Sequence, residues 1–117
     1  MMRTETDVRY VSRMHEAASA ALTFVGDHAF TELLNDNRRM TVLLRAIELL
    51  DRSARCVSSE FCEEHIDVPW DRVLGIYPQI VYHKEGLHLE NLYYFIVEVL
   101  SPLFHALDEI IPQEVSV

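Results

Sequence analysis

Residues 40–61 read MTVLLRAIELLDRSARCVSSEF and carry an unbroken helical pattern. Their apolar side chains recur at alternating steps of three and four residues: Met40, Leu43, Ile47, Leu50, Ala54, Val57 and Phe61. An α-helix turns once in about 3.6 residues, so these steps place the whole set on one face of a helix. Asn35, Asp36 and Asn37 stand just before this stretch and supply side chains for an N-cap. The sequence therefore predicts a long helix that continues to Phe61.

Two further stretches repeat this spacing on either side of the first. One consists of Val11, Met14, Ala18, Ala21 and Val25, and the other of Leu89, Leu92, Ile96, Val99, Leu103, Ala106 and Ile110. No convincing alternation of apolar and polar residues with a period of two competes with them. We expect an all-α fold, a small helical bundle of three long helices and two or three short ones, in one domain that spans residues 1–117.

Glycine and proline predict where the helices end or bend. Gly26 ends the first helix, and a short amphipathic helix follows near Phe30. Pro69 and Pro78 each stand near the start of a further short helix, the second of which is expected to reach about Lys84. Pro102 lies inside the last helix, where a proline removes one hydrogen bond and clashes with the carbonyl four residues earlier. The sequence therefore predicts a kink near the middle of that helix.

Composition excludes several classes of protein. Half of the 117 residues are apolar, and three glycines and four prolines are too few for a disordered or low-complexity chain. Cys56 and Cys62 form neither a disulfide framework nor a zinc motif, and we expect them to be reduced thiols that behave as small apolar residues on a helix face. No apolar run is long enough to span a membrane, and the first residues carry no secretory pattern. We expect a cytoplasmic location.

Charge is distributed unevenly along the chain. Residues 1–59 hold eight acids and eight arginines, whereas residues 60–117 hold eleven acids and only Arg72 and Lys84 as bases, which gives the net charge of −9. Nucleic-acid binding depends on clustered Lys and Arg that neutralise phosphates. We therefore expect no RNA binding, since such a role would have to use the N-terminal arginines or a partner.

Several fragments together resemble one protein family. They are Arg45-Ala46-Ile47-Glu48-Leu49-Leu50, Val68-Pro69-Trp70, Gly75-Ile76, Gly86-Leu87-His88-Leu89-Glu90 and Leu100-Ser101-Pro102-Leu103. In this order and spacing, from about Asp7 to Ile111, the chain resembles the HepT-like branch of the HEPN superfamily. The resemblance implies a small dimeric helical bundle that acts as a toxic ribonuclease. It also implies a partner, a MntA-like minimal nucleotidyltransferase that serves as the antitoxin.

The active motif of that family is an Arg, four residues and a His, commonly with a Tyr two residues beyond. Carried over without gaps between Trp70 and Gly86, the Arg position falls on Tyr77, the His position on Tyr82 and the following Tyr position on Lys84. A shift of one residue would recruit His83, but the residue five before it is Pro78. The catalytic identities are therefore absent from the sequence in either frame.

Cleavage of RNA by its 2′-hydroxyl needs a proton acceptor near neutral pKa and a positive charge beside the phosphate. A tyrosine has an ordinary pKa of about 10 and is almost entirely neutral at pH 7. We therefore interpret the chain as a degenerate HepT-like protein without catalysis that acts by binding itself and a nucleotidyltransferase or an intact HEPN relative. Two alternatives stay open, a toxin ribonuclease with an atypical active site and a protein that binds a small ligand in a dimer cleft.

Other candidate residues each allow two interpretations. Tyr77 and Tyr82 either stack a nucleotide or fill a dimer interface, and we favour the interface. Glu48 and Arg52, with Asp51 and Arg55 nearby, either line a cleft or form ion pairs along one helix, and we favour the ion pairs. His83, Glu85 and His88 could hold a metal or lie in a solvated loop; we favour the loop and expect no metal and no cofactor.

Three consecutive rings suggest an interface. Tyr93, Tyr94 and Phe95 cannot all face one core, because consecutive helical residues point about 100° apart. At least one of the rings is therefore expected to meet a partner subunit, and the sequence predicts a homodimer that forms through the late helices.

Overall fold

The computed structural model describes residues 5–82 and 86–115, and in these ranges the protein is all-helical. The helices are α1 (Glu5–Val25), α2 (Phe30–Leu34), α3 (Asn37–Arg55), α4 (Ser59–Glu64), α5 (Trp70–Val73), α6 (Ile76–Val81), α7 (Leu89–Tyr94) and α8 (Leu100–Val115). A π-helical turn, Phe95–Val99, joins α7 to α8 without a break. The expected all-α fold and its three long helices are confirmed, with α7, the π-turn and α8 forming one C-terminal helix. None of the described helices is long and apolar enough to cross a membrane.

The three predicted apolar seams meet in one core. α1 packs on α3 and α8, and their seams bury Met14, Leu43, Ile47, Leu50 and Leu103 completely. The third seam is wrong at two positions, because Leu89 is exposed and Leu107, rather than the predicted Ala106, is completely buried. Burial of side chains of this size contributes about 1.5–3 kcal/mol each, so this packing rather than helix propensity holds the bundle together. The short helices α4 to α6 cover one side of the core with Phe61, Trp70, Val73 and Ile80.

The first two helix boundaries lie where the sequence placed them. α1 ends at Val25, and Gly26 follows with φ +50°, a conformation in which glycine is the least strained residue. Asp36 is the N-cap of α3, because its Oδ1 accepts a hydrogen bond from the Arg39 amide at 3.0 Å. This hydrogen bond is the largest of the effects that hold the pKa of Asp36 below its ordinary value.

The prediction of one helix through Phe61 is wrong, because α3 ends at Arg55 and a separate α4 begins at Ser59. The hydroxyl of Ser58 accepts a hydrogen bond from the Phe61 amide and so caps α4. Asp7 of α1, which is buried, in turn accepts hydrogen bonds at 2.8 Å from both the amide and the hydroxyl of Ser58. The apolar pattern continues across the break because Phe61 still faces the same core.

Four short helices are present in the described residues, rather than two or three. α6 begins at Ile76 and ends at Val81, so it starts earlier and stops sooner than the predicted helix from Pro78 to Lys84. Gly75, with φ +83°, is the N-cap residue of α6. Pro78 occupies the third helical position, where the backbone needs no intrahelical N–H hydrogen bond. His83, Lys84 and Glu85 lie outside the described residues.

The irregularity expected at Pro102 takes the form of the π-turn that immediately precedes α8. Within it the Leu100 amide donates to the Phe95 carbonyl, a bond that spans five residues instead of four. The carbonyl that a regular helix would direct at the proline ring belongs to Glu98, which lies within this wider turn. The chain thus accommodates Pro102 by widening one turn of the C-terminal helix.

Candidate functional site

A buried carboxylate joins α3 to the start of α6. Asp51 is 1% exposed, and its two oxygens accept hydrogen bonds from the Gly75 amide at 3.0 Å and the Tyr77 amide at 2.8 Å. The first amides of a helix have no intrahelical partner, so a carboxylate brought from elsewhere in the fold satisfies them. Asp51 therefore fixes the position of the segment onto which the HepT-like motif was carried.

Two arginines of α3 extend this polar junction toward the surface. The Arg55 Nε donates to Oδ1 of Asp51 at 2.9 Å, and the Arg55 side chain remains 56% exposed. One turn earlier, Arg52 donates to Glu48 at 3.0 Å, which confirms the expected ion pair along the helix. Since Arg55 and Tyr77 both bind Asp51, a guanidinium lies close to the start of α6.

Sequence reasoning paired Asp51 with its own helix and missed its contact with α6. The signal was present, because Asp51 follows Ile47 by four residues and precedes Ala54 by three. It therefore lies on the apolar seam of α3, where a carboxylate is buried and needs partners. The spacing along α3 could not identify the amides of α6 as those partners.

The two tyrosines at the motif positions have different surroundings. Tyr77 is half-buried and packs against the core, whereas Tyr82 follows the last residue of α6 and is 80% exposed. α6 has ended at Val81, so the helical repeat does not set the direction of the Tyr82 side chain. The other two candidates of this segment, His83 and Lys84, lie outside the described residues.

The three consecutive aromatic residues divide between core and surface. Phe95 is fully buried in the protomer, so its ring is not part of a surface. Tyr93 is 49% exposed and packs edge-on against Phe30, while Tyr94 is 39% exposed and accepts a hydrogen bond from Arg72. The predicted interface can therefore use Tyr93 and Tyr94, whose role in a dimer stays a prediction.

Tyr93 belongs to an exposed apolar row on the C-terminal helix, which we call the apolar stripe. It consists of Leu89, Tyr93 and Val97, which are 45%, 49% and 48% exposed. Their steps of four residues hold them near one line of the helix surface. Apolar side chains of this size in one row are typical of a surface that contacts another protein.

A shallow groove lies beside the π-turn, with a volume of about 290 Å³. Its walls come from α5 with the preceding proline and from the C-terminal helix: Pro69, Asp71, Arg72, Glu98, Val99 and Pro102. Arg72 also stacks on the Tyr94 ring, with 5.7 Å from its Cζ to the ring centroid. The groove is thus next to an exposed aromatic ring and carries charges of both signs.

The remaining candidates are structural or exposed side chains. His88 is the N-cap of α7, where its Nδ1 accepts a hydrogen bond from the Asn91 amide at 3.2 Å. Among the described residues no three His, Cys, Asp or Glu side chains are placed to hold a metal ion. Cys56 was expected to behave as a small apolar residue on a helix face, but it follows the end of α3 and is exposed. Cys62 is partly buried. Burial raises the pKa of the Cys62 thiol above its ordinary value.

These observations define an all-helical protein with a buried carboxylate between α3 and α6 and an apolar stripe on its last helix. Its relatives are named as ribonucleases. A Methanocaldococcus jannaschii protein named "Putative RNase" is 20% identical over 90 residues, 77% of this chain and 74% of that protein. A second protein of that organism with the same description is 28% identical over 69 residues, 59% of this chain and 62% of that protein.

One distant relative carries the name HepT. A Thermococcus cleftensis protein named "Probable ribonuclease HepT" is 20% identical over 103 residues, 88% of this chain and 92% of that protein. The resemblance found in the sequence is therefore confirmed: the chain is a distant homologue of HepT-like proteins. No family model matches the chain. No solved structure matches it either.

Proposed function

We propose that this protein is a HepT-like protein without ribonuclease activity that acts through association with itself and with a protein partner. The observation that carries the proposal is the identity of the motif residues. Tyr77 stands at the position of the arginine and Tyr82 at that of the histidine, and neither supplies a neutral-pKa base or a positive charge at pH 7. Loss of either function costs about a hundredfold or more in rate.

Self-association is supported by the apolar stripe. Leu89, Tyr93 and Val97 are each nearly half exposed although they lie on the helix that completes the core. A second copy that covered them would remove apolar surface from water at about 25 cal/mol per Å². We expect a homodimer at micromolar concentration, and light scattering measures its mass. A mass of 13.6 kDa at every accessible concentration would contradict this part of the proposal.

A second candidate is a ribonuclease with an atypical site. It is favoured by Arg55, whose guanidinium shares the Asp51 carboxylate with the amide of Tyr77. A positive charge thus lies near the motif segment although it comes from another helix. In this candidate Arg55 would neutralise the scissile phosphate.

A ribonuclease assay separates the two candidates. The full chain and an Arg55→Ala variant are incubated with a fluorescently labelled single-stranded RNA, and a Glu48→Ala variant serves as the matched control. We expect no cleavage above the blank for any of the three proteins. Cleavage that co-elutes with the protein and falls more than about tenfold only in Arg55→Ala would replace the non-catalytic proposal with the ribonuclease.

The partner implied by the resemblance is a MntA-like minimal nucleotidyltransferase. In such pairs it places AMP on the Tyr that follows the catalytic His, a position that Lys84 occupies here. A protonated lysine is a poor nucleophile, so we expect binding without efficient transfer of AMP. Incubation with the cognate enzyme, ATP and magnesium followed by intact-mass analysis is the test. A stoichiometric gain of AMP mapped to Tyr77, the exposed Tyr82 or Lys84 would overturn the degenerate interpretation.

A further inference from the structure

The solvent face of α3 carries a row of arginines that the proposed function does not use. The exposed positions on this face are Arg38, Thr41, Arg45, Leu49, Arg52 and Arg55, and we call them the arginine face. Arg38, Arg45 and Arg52 follow one another at intervals of seven residues, close to two helical turns. Each interval is about 10 Å along the helix, so the three guanidinium groups form a row about 20 Å long.

Acidic residues of α3 form ion pairs with only some of these arginines. Arg52 is paired with Glu48, and Arg55 is paired with Asp51. Arg38 and Arg45 have no acidic partner within the described part of the chain. Two exposed guanidinium groups are therefore left for an external anion in a protein of net charge −9.

A complementary surface follows α3 directly in the chain. Three exposed carboxylates lie on α4 and the connector that follows it: Glu60, Glu63 and Asp67. We call them the acidic edge. Arg72 is the one Lys or Arg between Cys56 and Tyr82, and it pairs with Asp71 at 3.9 Å and lies over the Tyr94 ring. Among the described residues no ion pair joins the arginine face to the acidic edge, so the two surfaces do not neutralise each other within a protomer.

We propose that the arginine face of one copy of this protein binds the acidic edge of a second copy. Both surfaces belong to the same chain, so a two-fold arrangement would make each contact twice. Arginine forms paired hydrogen bonds with carboxylates and is enriched in protein interfaces. This interface is separate from the apolar stripe, and together the two would join dimers into larger assemblies.

Two features of the arginine face favour a protein over RNA. Leu49 is 43% exposed and lies between Arg45 and Arg52, where it gives the row an apolar centre. The carboxylate of Glu48 lies beside Arg52 and would repel a phosphate backbone. A protein partner can use both the apolar side chain and the alternation of charge, whereas a phosphate backbone uses neither.

The test uses charge-reversal variants of the full chain. One variant carries Arg38→Glu with Arg45→Glu, the other carries Glu60→Arg with Glu63→Arg, and Arg9→Glu on an exposed position of α1 is the control. Sedimentation measures the mass at about 50 mM and about 500 mM salt, since screening over about 10 Å or less weakens exposed ion pairs. We expect the wild-type and control proteins to form an assembly of about twice the mass at low salt, and each charge-reversal variant to lack it.

A one-to-one mixture of the two charge-reversal variants is the most decisive measurement. Combined one to one, each variant offers the charge that the other needs, so we expect the larger assembly to return. A wild-type mass that is the same at both salt concentrations, or a mixture that does not reassemble, would overturn the proposal. Salt-sensitive binding of labelled single-stranded U20 RNA that is lost in the arginine variant would also overturn it, in favour of an RNA surface.

A Val97→Ser variant separates this interface from the apolar stripe. If only the stripe assignment is wrong, Val97→Ser leaves the mass at high salt unchanged while the charge-reversal results stand. If only the charged interface is wrong, the dimer at high salt is lost in Val97→Ser while the mass is independent of salt in the wild type. The two failures are thus distinguishable.

Discussion

Replacement of Asp51 tests whether the α3–α6 junction depends on this single carboxylate. Asp51→Ala removes the acceptor of the Gly75 and Tyr77 amides and of the Arg55 guanidinium, all within 3.0 Å. The two amides lie at a part-buried contact, and a buried donor without a partner costs about 1–3 kcal/mol. We therefore expect Asp51→Ala to lower the free energy of unfolding by about 2–5 kcal/mol.

Glu48→Ala is the matched control on the same helix. Its carboxylate also accepts from an arginine four residues later, but the Arg52 side chain is 69% exposed and no second element is involved. Exposed pairs of this kind contribute about 0.3–0.5 kcal/mol. Asp51→Asn is the intermediate case, because it keeps one acceptor oxygen but directs an NH₂ group at one of the donors.

Urea unfolding followed by circular dichroism measures the difference, at one fixed protein concentration because dimerisation would make stability depend on concentration. The expected order of stability is wild type, Glu48→Ala, Asp51→Asn and Asp51→Ala. A value for Asp51→Ala within about 1 kcal/mol of Glu48→Ala would refute the reasoning. It would mean that water or a shift of α6 satisfies the amides at little cost.

Three further predictions follow from individual residues. Cys56 should react with a thiol reagent before Cys62, because Cys56 is exposed and burial raises the pKa of the Cys62 thiol; mass spectrometry of partly labelled protein would contradict this if Cys62 were modified first. Gly75→Ala should lower the free energy of unfolding in urea by about 1–2 kcal/mol, because φ is +83° at this position. The new methyl group has room, so the cost would come from the backbone conformation alone, and an unchanged unfolding midpoint would show that the turn relaxes. Asp36→Ala should destabilise at pH 7 and progressively less as the pH falls below the ordinary range of Asp, because the ionised carboxylate with its lowered pKa caps α3; a gap from wild type that is constant down to pH 3 would contradict the role of the charge.

The sequence determined the helical class and most of the core by itself. The three seams with steps of three and four are a local property of the chain, and the structure buries most of the side chains on them, such as Met14, Leu43 and Leu103, although Leu89 is exposed. The helix end at Gly26 and the N-cap at Asp36 could also be predicted from the sequence, because a left-handed glycine and an N-cap residue act only on neighbouring backbone. The order of short fragments along the chain also indicated the distant homology to HepT-like proteins.

Only the tertiary structure decided where the pattern is interrupted and which polar groups meet. α3 stops at Arg55 because Asp7, which lies 51 residues before Ser58, binds the residue that caps α4. Asp51 joins α3 to α6 rather than forming only a surface ion pair, because its carboxylate accepts hydrogen bonds from two amides at the start of α6. Such partners are far apart in sequence, and helical periodicity records which face of a helix is buried but not which backbone groups arrive there.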